Sequence, residues 1–209
     1  MKQAYRFGRT HRLSKIALKK FVWCLRFLCV MVISPLAFAD WTVSSGSEIY
    51  FVSIKNNSVG EINSFEGLSG SISLAGKVRV AVDLASVDTG IDLRNERLKQ
   101  IFFDVANFPM ATITANLTRG QTAKLIADGV NTDVIEVKIN LHGNTVSKFA
   151  HLSVASSDGN VRVTTTKPIV ITAQEFGLEP GIAALQQIAG LNAISQSIPI
   201  NVDLRLTAD

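Results

Sequence analysis

Cysteine is nearly absent from this 209-residue chain, and its two copies, Cys24 and Cys29, both fall within the first 39 residues. The other 170 residues therefore offer no disulfide, no thiolate nucleophile and no thiolate metal ligand. Histidine is almost as scarce, with only His142 and His151 beyond residue 39. No H-x-x-x-H or cysteine spacing suits a metal, so neither a metal site nor a cofactor is expected. There is no G-x-S-x-G elbow and no phosphate-cradling glycine loop, so no catalytic residue is assigned. His142 precedes Gly143-Asn144 and reads as a hairpin residue; His151 reads as a strand residue near enough in sequence to approach it. Internal repeats, linkers and low-complexity runs are also missing. The longest uninterrupted apolar run near the N-terminus, residues 27–33, is far shorter than the roughly 20 residues of a spanning helix.

Acidic residues are missing from the first 39 positions, which hold Lys2, Arg6, Arg9, Arg12, Lys15, Lys19, Lys20 and Arg26. An apolar stretch follows this basic region and leads to Ala37-Phe38-Ala39, the small-x-small pattern of a signal-peptidase site. Residues 1–39 are thus expected to be a signal peptide, and residues 40–209 one exported domain. Neither cysteine is preceded by the small residue of a lipoprotein signal, so no stable membrane anchor is expected. The whole chain carries 21 basic and 17 acidic residues. Without the signal the balance is 13 basic to 17 acidic, so the basic excess belongs to export. Nothing remains to attract nucleic acid.

What is present is alternation. Val78, Val80, Val82 and Leu84 alternate with Arg79, Ala81 and Asp83; Ile135, Val137, Ile139 and Leu141 with Glu136, Lys138 and Asn140. Ile198, Ile200, Val202, Leu204 and Leu206 repeat the pattern near the C-terminus. Period two marks half-buried strands. Asn56-Asn57, Ala75-Gly76 and Ser157-Asp158-Gly159 mark turns between them. Pro168 marks an edge or a bulge. Two helices interrupt the strands. One spans about residues 92–103, with Asp88 or Thr89 able to cap it. The other spans about 180–191, with Ile182, Leu185, Ile188 and Ala189 as an apolar stripe. Many antiparallel strands in a modest chain favour closure, though pattern alone also allows a sandwich.

The stretch Val87-Asp88-Thr89, Arg94, Leu98, Phe102-Phe103, Asp104 and Phe108-Pro109 resembles the YceI-like family of periplasmic lipid-binding proteins. The resemblance extends to Phe65-Glu66-Gly67-Leu68-Ser69-Gly70-Ser71-Ile72 and to Glu175-Phe176-Gly177. Where that family often has Arg-Asp-x-His-Leu, this chain has Arg94-Asn95-Glu96-Arg97-Leu98. The resemblance implies an all-β fold: an antiparallel eight-stranded, lipocalin-like barrel with two short helical inserts. It also implies a ligand class of polyisoprenoids, isoprenoid quinones or other long-chain apolar molecules.

On that reading the barrel wall against the ligand is Phe65, Val80, Val82, Phe103, Ile135, Val137, Ile139, Val202 and Leu204. Arg94 and Arg97 on the insert helix are candidates for contact with a polar head group. The rival is an interaction or stress-response protein of the cell envelope whose barrel is filled by its own side chains. A hollow and a filled barrel need the same inward aliphatics, and a homodimer is compatible with either.

Overall fold

The computed structural model describes residues 41–208. The expected signal peptide, with Cys24, Cys29 and the cleavage point after Ala39, lies outside the described residues.

The barrel is a closed antiparallel meander of eight strands. Three of these strands are broken part-way. The first is β1 (Trp41–Val43) and β2 (Glu48–Lys55), and the second is β3 (Val59–Phe65) and β4 (Leu68–Ile72). β5 (Lys77–Asp83) follows, then a short β6 (Val87–Asp88) that pairs back onto β3. After the insert helix α1 (Asp92–Arg97) come β7 (Met110–Asn116) and helix α2 (Arg119–Ile126). The long hairpin β8 (Gly129–Leu141) and β9 (Asn144–Ser157) leads to a third broken strand, β10 (Asn160–Thr165) and β11 (Ile169–Thr172). Helix α3 (Glu179–Ala189) and β12 (Ser197–Ala208) complete the fold. Each strand pairs with the next in sequence. The ring closes where Trp41 lies opposite Ile72 on one side and Ala208 on the other.

Local chemistry sets the corners. Asn56 and Asn57, His142 and Gly143, and Asp158 and Gly159 all have positive φ, the backbone that tight hairpin turns require. His142 therefore sits at the β8–β9 tip. His151 stands seven residues along β9 from Asn144, roughly 24 Å away at about 3.4 Å per residue. The two histidines are far apart along the hairpin and do not meet. Pro168 falls in the break between β10 and β11, since it can donate no ladder hydrogen bond. At Gly70, φ is +146° and a Cβ would strike the Arg79 carbonyl, so only glycine lets β4 approach β5 there.

The described residues form three α-helices rather than two. α2 is held at its start by a reciprocal capping box between Thr118 and Gln121. α1 has no side-chain cap, contrary to the expectation for Asp88 and Thr89. Asp88 Oδ1 instead accepts from Gly90 N at 2.8 Å, and Thr89 Oγ1 donates to Asn95 Oδ1 at 2.6 Å. α1 runs on into a π-helical turn, Leu98–Phe102, which delivers Phe103 to the barrel interior. In α3 the expected four-residue stripe is half realised. Ile182 is buried and Leu185 half-buried, but Ile188 and Ala189 are exposed. Only the first turns of α3 rest on the protein.

Buried side chains form two apolar layers. One holds Phe65, Phe103, Phe176, Leu178 and Ile182 beneath α3 and the insert. The other holds Trp41, Ile72, Leu125, Leu204 and Leu206 beside α2.

Candidate functional site

Between these layers lies a cavity of about 190 Å³. Period-two alternation directs one side chain in two from each barrel strand inward, so every strand contributes to its wall. Val80 and Val82 come from β5, Ile135, Val137 and Ile139 from β8, and Val202 and Leu204 from β12. Phe65 comes from β3, and Phe103 closes the wall from the insert. These nine residues, expected from alternation and resemblance, all line the cavity. Every lining residue except Thr172 is apolar.

An aromatic chain borders the cavity at the end beneath the insert. Phe51 stacks on Phe65 with ring centroids 5.4 Å apart. Phe65 meets Phe103 edge-on at 5.6 Å, and Phe103 meets Phe102 at 4.8 Å. Phe176, completely buried, and Leu178 come from the turn before α3. At the opposite end Leu117 and Leu125 reach the cavity from the β7–α2 segment. Sequence reasoning missed Leu125 because it missed α2. The signal was present: Thr118-Arg119-Gly120-Gln121 has the spacing of a capping box.

Arg94 and Arg97 do not line the cavity. Arg94 Nη1 donates to Glu61 Oε2 at 2.6 Å, and Lys55 Nζ lies 2.8 Å from Glu61 Oε1. The Lys55 hydrogen bond and the two nearby positive charges hold the Glu61 carboxyl below its ordinary pKa, against the effect of its burial. A second pair stands near Thr172. Lys148 Nζ is 2.6 Å from Glu175 Oε1, while Glu175 Oε2 accepts from the Thr172 amide at 2.8 Å. The Lys148 hydrogen bond is the main reason the Glu175 pKa is lowered. Both carboxylates are thus tied to structural partners rather than presented to the cavity. Among the described residues no group of three or more His, Cys, Asp or Glu could hold a metal ion. No helix among them is long and apolar enough to cross a membrane.

The YceI-like domain pattern matches residues 41–206, nearly the whole barrel. The chain belongs to the YceI-like family. A solved polyisoprenoid binding domain from Saccharophagus degradans, implicated in plant cell wall breakdown, is 33% identical with a TM-score of 0.77. The match covers 82% of this chain and 99% of that one. BcnA of Burkholderia cenocepacia is 19% identical with a TM-score of 0.60, covering 76% of this chain and 95% of its own, and shows the shared fold. No curated protein matches this YceI-like chain in sequence.

Proposed function

We propose that this YceI-like protein is an exported carrier that holds a polyisoprenoid, an isoprenoid quinone or another long-chain apolar molecule in its barrel. The observation that carries this reading is the cavity, whose wall is apolar from Phe103 at one end to Leu125 at the other. Such a wall favours ligands that bury many methylenes, each contributing roughly 0.8 kcal/mol. It offers nothing to a substrate that needs several polar contacts, so the role is binding rather than catalysis. The polyisoprenoid-binding description of the Saccharophagus degradans domain supports the ligand class. The nine wall residues named above are the contacts proposed for the chain of the ligand. The rival, an envelope interaction protein with a filled barrel, is disfavoured by the same cavity.

Export rests on the basic, acid-free N-terminal stretch and Ala37-Phe38-Ala39. Cleavage there would release a domain beginning at Asp40 into the periplasm or the medium, without an anchor. Native mass spectrometry of protein purified from its own host, followed by lipid extraction, tests both parts. The expected result is a polypeptide lacking the first 39 residues with a long-chain apolar molecule bound, and the same spectrum gives the oligomeric state. Protein that carries no lipid under native conditions would remove the carrier reading. A full-length chain in the membrane fraction would remove the export reading.

A further inference from the structure

We propose that the cargo is uncharged and ends in a head group that both gives and takes a hydrogen bond, as an alcohol does, held by Asn63 and Ser53. This rests on the carrier reading and narrows it.

Paired residues across an antiparallel ladder share a face. On the inner face of the β2–β3 hairpin the pairs run Ile49 with Phe65, Phe51 with Asn63, Ser53 with Glu61, and Lys55 with Val59. Ile49, Phe51 and Phe65 line the cavity, so Asn63 and Ser53 are the first polar side chains beyond it on this face. Asn63 is only 4% exposed. Its Nδ2 donates to Ser53 Oγ at 3.2 Å, to the Glu61 carbonyl at 3.3 Å and to the Phe51 carbonyl at 3.5 Å. Two carbonyls at that nitrogen fix which way the amide points. Asn63 Oδ1 is then left accepting nothing among the described residues, and the Ser53 hydroxyl proton is donated to nothing. Among the described residues the fully buried side-chain atom without a partner is Trp41 Nε1, so Asn63 Oδ1 keeps accessible surface through which a ligand can reach it. A ligand hydroxyl supplies the missing donor, and its oxygen can accept from Ser53.

The same hairpin disfavours an anionic head. The two cations beyond this pair, Lys55 and Arg94, both hold Glu61. A phosphate placed there meets a carboxylate before it meets a free cation. Arg97 lacks an ion pair among the described residues, but it is not part of the cavity wall.

The test compares three probes on the delipidated protein: geranylgeraniol, geranylgeranyl phosphate and the matching hydrocarbon without a head. The alcohol is expected to bind about fivefold to tenfold more tightly than the hydrocarbon, the worth of one net hydrogen bond. It should also bind more tightly than the phosphate. Asn63→Leu should erase the alcohol's margin over the hydrocarbon. Ser53→Ala, at a half-buried position, should reduce the margin in the same way and serves if Asn63→Leu does not fold. Equal binding of alcohol and hydrocarbon, tighter binding of the phosphate, or equal losses for alcohol and hydrocarbon in the variants would overturn the head assignment and leave the carrier standing. No binding of any probe would overturn both.

Discussion

Gly181 in α3 faces Phe102 so closely that a Cβ on the glycine would lie 3.0 Å from Phe102 Cδ2 and 3.2 Å from the Ile101 carbonyl. The first turn of α3 rests on the π-helical turn through this contact, and Ile182 beside it is buried. The absence of a side chain at one position therefore seats the helix over the barrel end. Gly181→Val should lift α3, costing about 1–3 kcal/mol through overpacking. For a domain of this size each kcal/mol lowers Tm by roughly 2–4 °C. Thermal melting gives the first number. Hydrogen exchange should show faster exchange in α3 and unchanged protection in β8 and β9; unchanged α3 exchange would show that the contact does not hold the helix.

The inward face of β5 can be tested with neighbouring residues. Val82 is 4% exposed and lines the cavity, while Asp83 is half-buried at the strand end and caps the turn that follows. Val82→Asp places a carboxylate among apolar side chains, a penalty of several kcal/mol and comparable to the stability of a domain. Loss of soluble folded protein is expected. Asp83→Asn keeps an acceptor for the Ala85 amide and should melt within a few degrees of the parent. Equal melting temperatures for the two variants would contradict the strand orientation.

Much of this wall was legible because strand alternation is local: knowing Val80 faces inward fixes Val82. The turns at Asn56-Asn57 and Asp158-Gly159 were legible for the same reason. What was not legible depended on distant partners. Arg94 read as a head-group contact, but its partner Glu61 lies 33 residues away and draws it onto the β3 hairpin. The α3 residues read as a four-residue apolar stripe, yet nothing among the described residues covers Ile188 and Ala189, and periodicity does not report what lies opposite. α2 escaped because few of its side chains, Thr122 and Leu125 among them, bury, too few to show a period. Asp88 and Thr89 read as caps until Asn95, one turn into α1, took their hydrogen bonds.

Acid should weaken the fold through Glu61 and Glu175. Both carboxyls titrate below their ordinary 4.5 in the folded state, Glu61 through Lys55 and Arg94, Glu175 through Lys148. A lowered folded-state pKa gives stability that is complete above the unfolded value and lost as pH falls through the folded value. Chemical denaturation should therefore show a constant contribution above about pH 5 and a decline below it. Glu175→Gln should lower stability at neutral pH and flatten that decline. An identical acid profile for the variant would show that the Lys148 pair contributes nothing.

Val137 separates a hollow barrel from a filled one. It is 7% exposed and lines the cavity. Val137→Trp places a ring where cargo would lie. Lipid recovered per protein should fall while the Tm of the delipidated protein stays near that of the parent. A drop worth about 1–3 kcal/mol in the delipidated protein would mean the ring has no room.

Trp41 provides a built-in reporter, because it is the single tryptophan beyond residue 39. It is 4% exposed and packs with Ile72 and Leu125, which line the cavity at the end away from the β2–β3 hairpin tip. A long-chain alcohol brominated at its tail should quench Trp41 emission more than one brominated beside the hydroxyl. The reverse order would place the head at the α2 end. Among the described residues the Trp41 Nε1 proton also has no acceptor. Trp41→Phe should accordingly cost less than the lost ring area alone implies.

The pairing that closes the ring joins the two ends of the domain. Trp41 sits opposite Ala208, and the Arg205 carbonyl accepts from both the Ser44 amide and its hydroxyl. Every other seam of the wall joins neighbours in sequence. A chain that emerges N-terminus first can therefore zip its hairpins in order, but β1 must wait with one side unmatched until β12 arrives. This one high-separation contact is the slow, entropy-limited step of assembly. Until it forms, the inward-facing side chains open onto solvent rather than enclosing a compartment. The ability to retain a guest arises all at once, with the last dozen residues.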